Sequence, residues 1–180
     1  MQKDWLAKMK RILSDTNFYG LLSKDEERLK VVEKIKTSSK IVIYGFNTIR
    51  NELRDVPKLI RIENKNLRID LLNLYDTIVE NHILELNSKI SDVAESYYKA
   101  YREFGGIRSK EDIRNDLIIV SAASLNNLDI VVSNDEKTML AENAVRAYNL
   151  INSVINRRIP KFISYRDFKK LLRGESNELF

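Results

Sequence analysis

Short apolar runs rich in β-branched residues alternate along the chain with longer segments in which apolar residues recur every three or four positions. The first pattern is typical of β-strands and the second of amphipathic helices. The runs predicted as strands are 11–15, 40–45, 82–86, 129–134 and 160–165. Helical spacing is seen, for example, at Ile90, Val93, Ala94, Tyr97 and Tyr101. The predicted order is therefore strand, helix, strand, helix throughout.

Two of these runs, "IVIY" at 41–44 and "DIVVS" at 129–133, are apolar on both of the faces that a strand presents. Such strands are typical of a mainly parallel sheet with helices on each side. We therefore predict a three-layer α/β/α sandwich with a mainly parallel sheet of about five strands. A chain of 180 residues is expected to form a single domain over 1–180, and no linker or repeat divides it. Ligands of open parallel sheets bind outside the carboxyl ends of the strands, so functional residues should follow strands.

The composition removes most kinds of catalytic site. The chain has no cysteine, which excludes thiolate zinc sites, and only one histidine, His82, which disfavours a Ser-His-Asp triad or a multi-histidine metal site. Its five glycines form none of the phosphate-binding motifs of dinucleotide-binding and P-loop proteins. We interpret His82 as a structural residue at a strand edge. The chemistry that is left is that of carboxylates.

The formal net charge of +5 is unevenly distributed. Residues 1–60 hold 13 Lys/Arg against 8 Asp/Glu, and 157–173 gathers seven Lys/Arg around Asp167. Such clusters favour a polyanion such as RNA or DNA, although a solvated helix face explains each of them equally well. No run approaches the ~20 apolar residues of a membrane span, and the charged N-terminus does not resemble a signal peptide. We expect a cytoplasmic protein without a membrane partner.

Four acids from four separate segments are predicted to meet at one edge of the sheet. Asp15 closes the first strand, Asp135 closes the fourth, Asp116 lies near the start of the intervening helix, and Glu52 lies on the helix after the second strand. Clustered carboxylates repel each other and need a cation, and oxygen donors favour Mg²⁺ or Mn²⁺ over zinc. Such an ion can activate water and neutralise charge on a phosphodiester, which is the chemistry of nucleic-acid hydrolysis.

Each acid also has a structural explanation. Asp15 can end its strand and cap the next helix, Asp116 can favour the N-terminus of its own helix, and Asp135 can cap a helix beginning near Thr138. The joint placement of the four acids favours a site over four separate caps. Asp112, one turn before Asp116, is interpreted as a solvated residue.

Four pieces of the sequence carry a family resemblance when they are taken in order: "ILSDTNFYGLL", "TIRNEL", "EDIRNDLIIVSAASLNNLDIVVSND" and "PKFISYRDFKKLL". Together they resemble the PIN-domain (PilT N-terminus-like) nucleases, a family that includes VapC-type toxin ribonucleases. The resemblance spans nearly the whole chain. It implies a PIN-like sandwich and a divalent-metal-dependent endoribonuclease that uses Mg²⁺ or Mn²⁺. The metal-binding and catalytic acids would be Asp15, Glu52, Asp116 and Asp135.

The resemblance has further implications. Asn17 and Ser133 would hold water or steady the metal-binding acids, RNA would be the substrate, and the protein would self-associate, as a dimer. The chain would be either a VapC-like toxin or an RNA-processing enzyme, and a small antitoxin protein is expected as a partner if it is a toxin. The segment 61–81 lengthens the region after Glu52 relative to toxin members of the family, so we expect a helical insertion there, either an extra helical hairpin or a clamp for the substrate.

Arg50, Arg54 and Arg114 are predicted to hold the phosphate backbone near the crevice, although solvated helix charges explain them as well. A second hypothesis is a non-catalytic RNA-binding or assembly module that keeps the fold, against which the retention of all four acids speaks. A haloacid-dehalogenase-like phosphatase is disfavoured, because that family needs Asp-x-Asp where this chain reads Asp15-Thr16-Asn17.

Overall fold

A computed structural model describes residues 9–62 and 64–175 of the chain. The first eight residues of the N-terminal segment that was compared with signal peptides lie outside the described residues. The strands are β1 (Lys10–Ser14), β2 (Ile41–Phe46), β3 (Arg61–Ile62), β4 (Lys65–Asn66), β5 (Ile83–Leu84), β6 (Ile130–Val132) and β7 (Lys161–Ile163). The helices are α1 (Thr16–Ser23), α2 (Arg28–Thr37), α3 (Asn47–Asp55), α4 (Leu67–Val79), α5 (Ser88–Glu103), α6 (Lys110–Leu125), α7 (Glu142–Val154) and α8 (Tyr165–Arg173). None of these helices is long and apolar enough to cross a membrane.

Five strands form one sheet in the order β5-β2-β1-β6-β7, and all four pairs are parallel. Each of these five strands overlaps one of the runs that were predicted as strands. Consecutive residues of β1 and β6, such as Ile12 and Leu13, are fully buried, so helices cover both faces of the sheet. The predicted three-layer α/β/α sandwich with a five-stranded parallel sheet is confirmed.

The strand order places a reversal point at the centre of the sheet. From β1 the chain proceeds outward to β2 and β5, and it then returns to β6 on the other side of β1. Chain connections leave in opposite directions from β1 and β6, which opens a crevice outside their carboxyl ends. Residues that follow β1 and β6 therefore lie at the mouth of this crevice.

The segment 61–81 is helical only in part. Arg61–Ile62 and Lys65–Asn66 pair as the antiparallel hairpin β3–β4, and Asn64 adopts a left-handed conformation with φ of 64°, one that asparagine tolerates better than most residues. The helix α4 follows, capped by the Asn66 side chain, which accepts a hydrogen bond from the Ile69 N–H at 3.2 Å. The segment expected to hold a helical insertion thus contains the short strands Arg61–Ile62 and Lys65–Asn66 before the helix, and its being an insertion stays a prediction.

α4 belongs to the core of the molecule. It buries Leu71, Leu74, Tyr75, Ile78 and Val79 and packs against α1, α3 and β2. At Gly45 in β2 an added Cβ would collide with Tyr75 and Val79, so only glycine permits this close approach of helix and strand.

One face of α1 is fixed by aromatic packing. Phe18 lies edge-on to Phe168 of α8, with ring centroids 5.2 Å apart, and Tyr19 lies 5.3 Å from Tyr75 of α4. Leu22 completes this buried face. The other face of α1 points away from the core, toward the crevice described below.

Candidate active site at the carboxyl ends of the central strands

Asp15 and Ser133 are the first residues after β1 and β6 in the described strands. The parallel pairing of Ser14 with Val132 places them side by side, and the Asp15 N–H donates to the Val132 carbonyl at 3.0 Å. The Ser133 hydroxyl donates to Asp15 Oδ2 and accepts from the Asp135 N–H at 3.0 Å. Ser133 thus connects two of the four predicted acids.

Asp15 is both a helix cap and a member of this cluster. Its Oδ1 accepts the Phe18 N–H at 3.1 Å at the start of α1, while its Oδ2 faces Ser133. Asn17 is exposed and makes only a long contact of 3.5 Å with Oδ2. The side chain of Asp15 is 3% exposed, and this burial raises its pKa to about 6 despite the hydrogen bonds that favour the charged form.

Asp116 and Asp135 share one hydroxyl group. Thr138 Oγ1 lies 2.5 Å from Asp116 Oδ2 and 2.7 Å from Asp135 Oδ2. A hydroxyl has one hydrogen to donate, so the second contact requires either a proton on one carboxylate or a cation between them. Burial raises the pKa of Asp116 to about 7, and the charges of Asp135, Asp15 and Glu52 raise it further. Burial therefore favours a proton on Asp116 when no cation lies between the two carboxylates.

Neither Asp116 nor Asp135 caps a helix in the structure. Ser109 caps α6 in a capping box with Asp112, and Asp116 lies almost two turns further on. The helix expected near Thr138 begins at Glu142. Asp135 instead closes the turn before it, since its Oδ1 accepts from the N–H groups of Lys137 and Thr138 at 2.9 Å.

Glu52 is held by the residues that adjoin two of the other acids. Thr16, next to Asp15, donates its hydroxyl to Glu52 Oε2, and Asn115, next to Asp116, donates Nδ2–H to Glu52 Oε1 at 2.5 Å. These two hydrogen bonds direct the carboxylate of α3 between α1 and α6. All four acids therefore belong to one region of the molecule.

The donor set consists of oxygen atoms and suits a hard cation. Across 9–62 and 64–175, no three Asp, Glu, His or Cys side chains are already arranged as a metal-binding group. Mg²⁺ does not need such a cage, because it keeps several waters and is commonly held by one or two carboxylates and substrate phosphates. The Asp116–Asp135 pair, joined through Thr138, fits a cation of that kind.

The three predicted arginines differ in their surroundings. Arg50 forms a two-pronged ion pair with Asp76 of α4, with both N···O distances 2.9 Å. Arg54 is exposed on α3, and Arg114 lines a groove of about 160 Å³ between α5 and α6. Their contact with nucleic acid stays a prediction.

Thr16, Asn115 and Thr138 were not singled out as site residues from the sequence, although each orients a predicted acid. Two of them are direct neighbours of an acid in the chain, which is the one signal that the sequence offered. Threonine and asparagine are so common at strand and helix ends that this signal does not separate them from capping residues.

Replacing Thr138 by valine is expected to lower metal-dependent activity about 10-fold to 100-fold, because the swap keeps the shape but removes the group that joins Asp116 and Asp135. The measurement is a Mn²⁺ titration of activity, in which the midpoint should move to higher metal concentration. Thr138→Ser keeps the hydroxyl and serves as the control. A valine variant with the wild-type titration curve would contradict a role for Thr138.

No known family model and no curated protein matches the sequence. Solved structures do match the fold. The crystal structure of VapBC2 from Rickettsia felis, bound to a DNA fragment from their promoter, matches at 14% identity with a TM-score of 0.52, over 86% of this chain and 98% of that chain. A structure of FitAB bound to the IR36 DNA fragment matches at 13% identity with a TM-score of 0.51, over 86% and 94%.

At these identities the likeness establishes the fold. The chain has a PIN-like α/β fold, shared with these two structures, as the sequence resemblance predicted. Its own side chains supply what the fold alone does not: acids from the end of β1, from α3, from α6 and from the segment after β6, gathered at the carboxyl ends of the central strands.

Proposed function

We propose that this protein is a divalent-metal-dependent endoribonuclease that hydrolyses RNA phosphodiester bonds with Mg²⁺ or Mn²⁺. The observation that carries the proposal is the pair of Asp116 and Asp135, which share a single threonine hydroxyl beside the buried Asp15. Burial, together with the neighbouring charges of Asp135, Asp15 and Glu52, raises the pKa of Asp116, a cost that structural caps do not require. A cation bound between Asp116 and Asp135, in place of a proton on Asp116, would remove this cost.

The residues have distinct roles in this proposal. Asp15, Asp116 and Asp135 would hold the ion, and Ser133 and Thr138 keep their carboxylates in place. Glu52, fixed through both of its oxygens by Thr16 and Asn115, would orient the attacking water. A bound divalent ion supplies Lewis acidity toward a phosphate oxygen and lowers the pKa of water.

The reaction adds one water across one P–O bond. The water oxygen bonds to phosphorus in line with the leaving group, and the bond from phosphorus to the 3′-oxygen breaks. The proton lost by the water is balanced by the proton taken up at the 3′-oxygen. The products are a 5′-phosphate and a 3′-hydroxyl.

A toxin role, with a small antitoxin protein as partner and a dimer as the assembled form, is the finer part of the proposal. Its support is the fold shared with VapBC2 and FitAB, both of which are complexes bound to DNA. A second copy of the chain would be detected as doubling of the mass in solution by light scattering.

The test is cleavage of an end-labelled single-stranded RNA by the purified protein with Mn²⁺, with Mg²⁺ and with EDTA. We expect cutting with either metal and none with EDTA, with 5′-phosphate ends on the downstream products. RNA binding that is indifferent to metal and to Asp15→Asn, without any cleavage across a range of RNAs, would instead establish the non-catalytic binding module.

A further inference from the structure

An open crevice of about 630 Å³ leads away from Asp135 along α1. Its wall along α1 is lined by Asn17, Gly20 and Leu21, which are spaced three and four apart and so share one helix face, and by Lys24, which follows the helix. The segment after β6 forms the opposite wall with Asp135, Glu136 and Lys137. Two acids and one lysine therefore lie at the end of the crevice near Asp135, and Lys24 lies at the far end of α1.

Gly20 leaves this crevice open. It lies inside α1, where glycine weakens a helix relative to alanine, and it is not one of the described glycines with positive φ. A Cβ at this position would meet no atom within 4 Å, so neither packing nor backbone conformation requires glycine. What the missing side chain does provide is room for another molecule to approach the helix backbone.

The lysines of the crevice differ from the basic cluster near the C-terminus. Four cations of that cluster are engaged within the protein, in the ion pairs Arg158–Asp129, Lys169–Asp25, Lys170–Asp167 and Arg173–Glu27. Lys24 and Lys137 are exposed, and neither forms an ion pair within the described part of the chain. Cations of this kind are available to a polyanion.

A second, smaller cavity lies between the C-terminal end of α1 and the hairpin β3–β4. Ser23, which precedes Lys24, lines this cavity together with Ile62 and Lys65 of the hairpin. Lys65 is exposed and has no ion pair among the residues that the structure describes. Because Ser23 adjoins Lys24, Lys65 lies near the Lys24 end of the crevice.

We propose that this crevice is the binding site of a single-stranded RNA, whose backbone passes over Gly20 and whose flanking phosphates contact Lys24, Lys65 and Lys137. The inference rests on the proposed nuclease function and adds the path of the substrate. The acidic end would receive the phosphate that is cut, and the basic end would hold phosphates that are not. Leu21, which is 39% exposed, supplies an apolar contact for a base.

The size of the crevice selects a single strand. Clefts of about 300–1,000 Å³ enclose ligands of drug size, so 630 Å³ accommodates about one or two nucleotides of an extended strand. A duplex is far wider and would leave the crevice floor at Gly20 untouched. We expect the same sequence in duplex form to bind more weakly.

The test measures binding by fluorescence anisotropy with a labelled mixed-sequence RNA of about 12 nucleotides, in an Asp116→Asn background with Mg²⁺ present. The triple variant Lys24→Gln/Lys65→Gln/Lys137→Gln should weaken binding about 10-fold or more and reduce the slope of log affinity against log salt by about 2. Gly20→Trp should weaken binding by filling the crevice, and thermal melting checks that it folds. Gly20→Ala should raise the melting temperature.

The matched control is Lys34→Gln/Lys89→Gln/Lys99→Gln, which removes the same charge from exposed positions on α2 and α5. Equal losses in both triple variants, or wild-type binding by the crevice variants, would overturn the proposed RNA-binding site. If the wild type cleaves RNA with metal and the crevice variants cleave equally well, the proposed RNA-binding site is wrong and the proposed nuclease function is supported. If the wild type never cleaves but the crevice variants lose binding, the proposed nuclease function is wrong and the RNA-binding site is supported.

Discussion

Replacing Asp116 by asparagine is expected to abolish metal-dependent RNA cleavage, with a loss of about 1,000-fold or more in kcat/KM. Asp116 shares the Thr138 hydroxyl with Asp135, so the substitution removes one of the three carboxylates that are proposed to hold the ion. A bound metal contributes several kcal/mol of transition-state stabilisation, and each 1.36 kcal/mol corresponds to a factor of ten in rate. The measurement is single-turnover cleavage of labelled RNA at saturating Mn²⁺.

Asp112→Asn is the matched control on the same helix. Asp112 lies one turn earlier on α6, is exposed, and takes part in the capping box with Ser109. Its replacement should leave the cleavage rate within about twofold of the wild type, since an exposed side chain away from the site has little effect. Equal losses in the two variants, or full activity in Asp116→Asn, would remove Asp116 from the site.

The parallel sheet could be predicted because its strands are buried on both faces. Runs such as "IVIY" keep their apolar character at every position, which leaves few alternatives to a covered parallel sheet. The hairpin of β3 and β4 could not be predicted, because two-residue strands carry too few positions for an alternating pattern. Its formation depends on contacts made elsewhere, such as the bond from Asn66 Nδ2–H to the Lys58 carbonyl at 2.7 Å.

The site was predictable where it follows from topology. Asp15 comes directly after a strand, and the carboxyl ends of parallel strands share one edge, so the location of Asp15 could be read from sequence. The residues that position the acids could not be predicted in this way, because they come from other segments of the chain. Glu52 and Asn115 are 63 positions apart in the chain, and only the packing of α3 near α6 makes Asn115 a partner of Glu52.

The metal-free protein is expected to lose stability as the pH rises from 5 to 8. The pKa values of Asp15 and Asp116 are raised by burial to about 6 and about 7, above their ordinary values in the unfolded chain. The folded state therefore binds more protons across this window, so the free energy of unfolding is highest below it and falls as the two groups ionise. The pKa values of Asp25 and Asp129 are lowered, and those groups act in the opposite direction only at more acidic pH.

The two raised pKa values together imply a fall of about 2–4 kcal/mol between pH 5 and 8. Urea unfolding in EDTA at a series of pH values measures it. Asp116→Asn has no carboxyl group to ionise, so its stability should fall less and exceed that of the wild type at pH 8, while Asp112→Asn should keep the wild-type profile.

Mg²⁺ added at pH 8 should restabilise the wild type more than Asp116→Asn, because an ion that binds only the folded site shifts the unfolding equilibrium. A pH profile that Asp116→Asn leaves unchanged would mean that the site acids do not carry this instability, and that their proximity is no indication of a metal site.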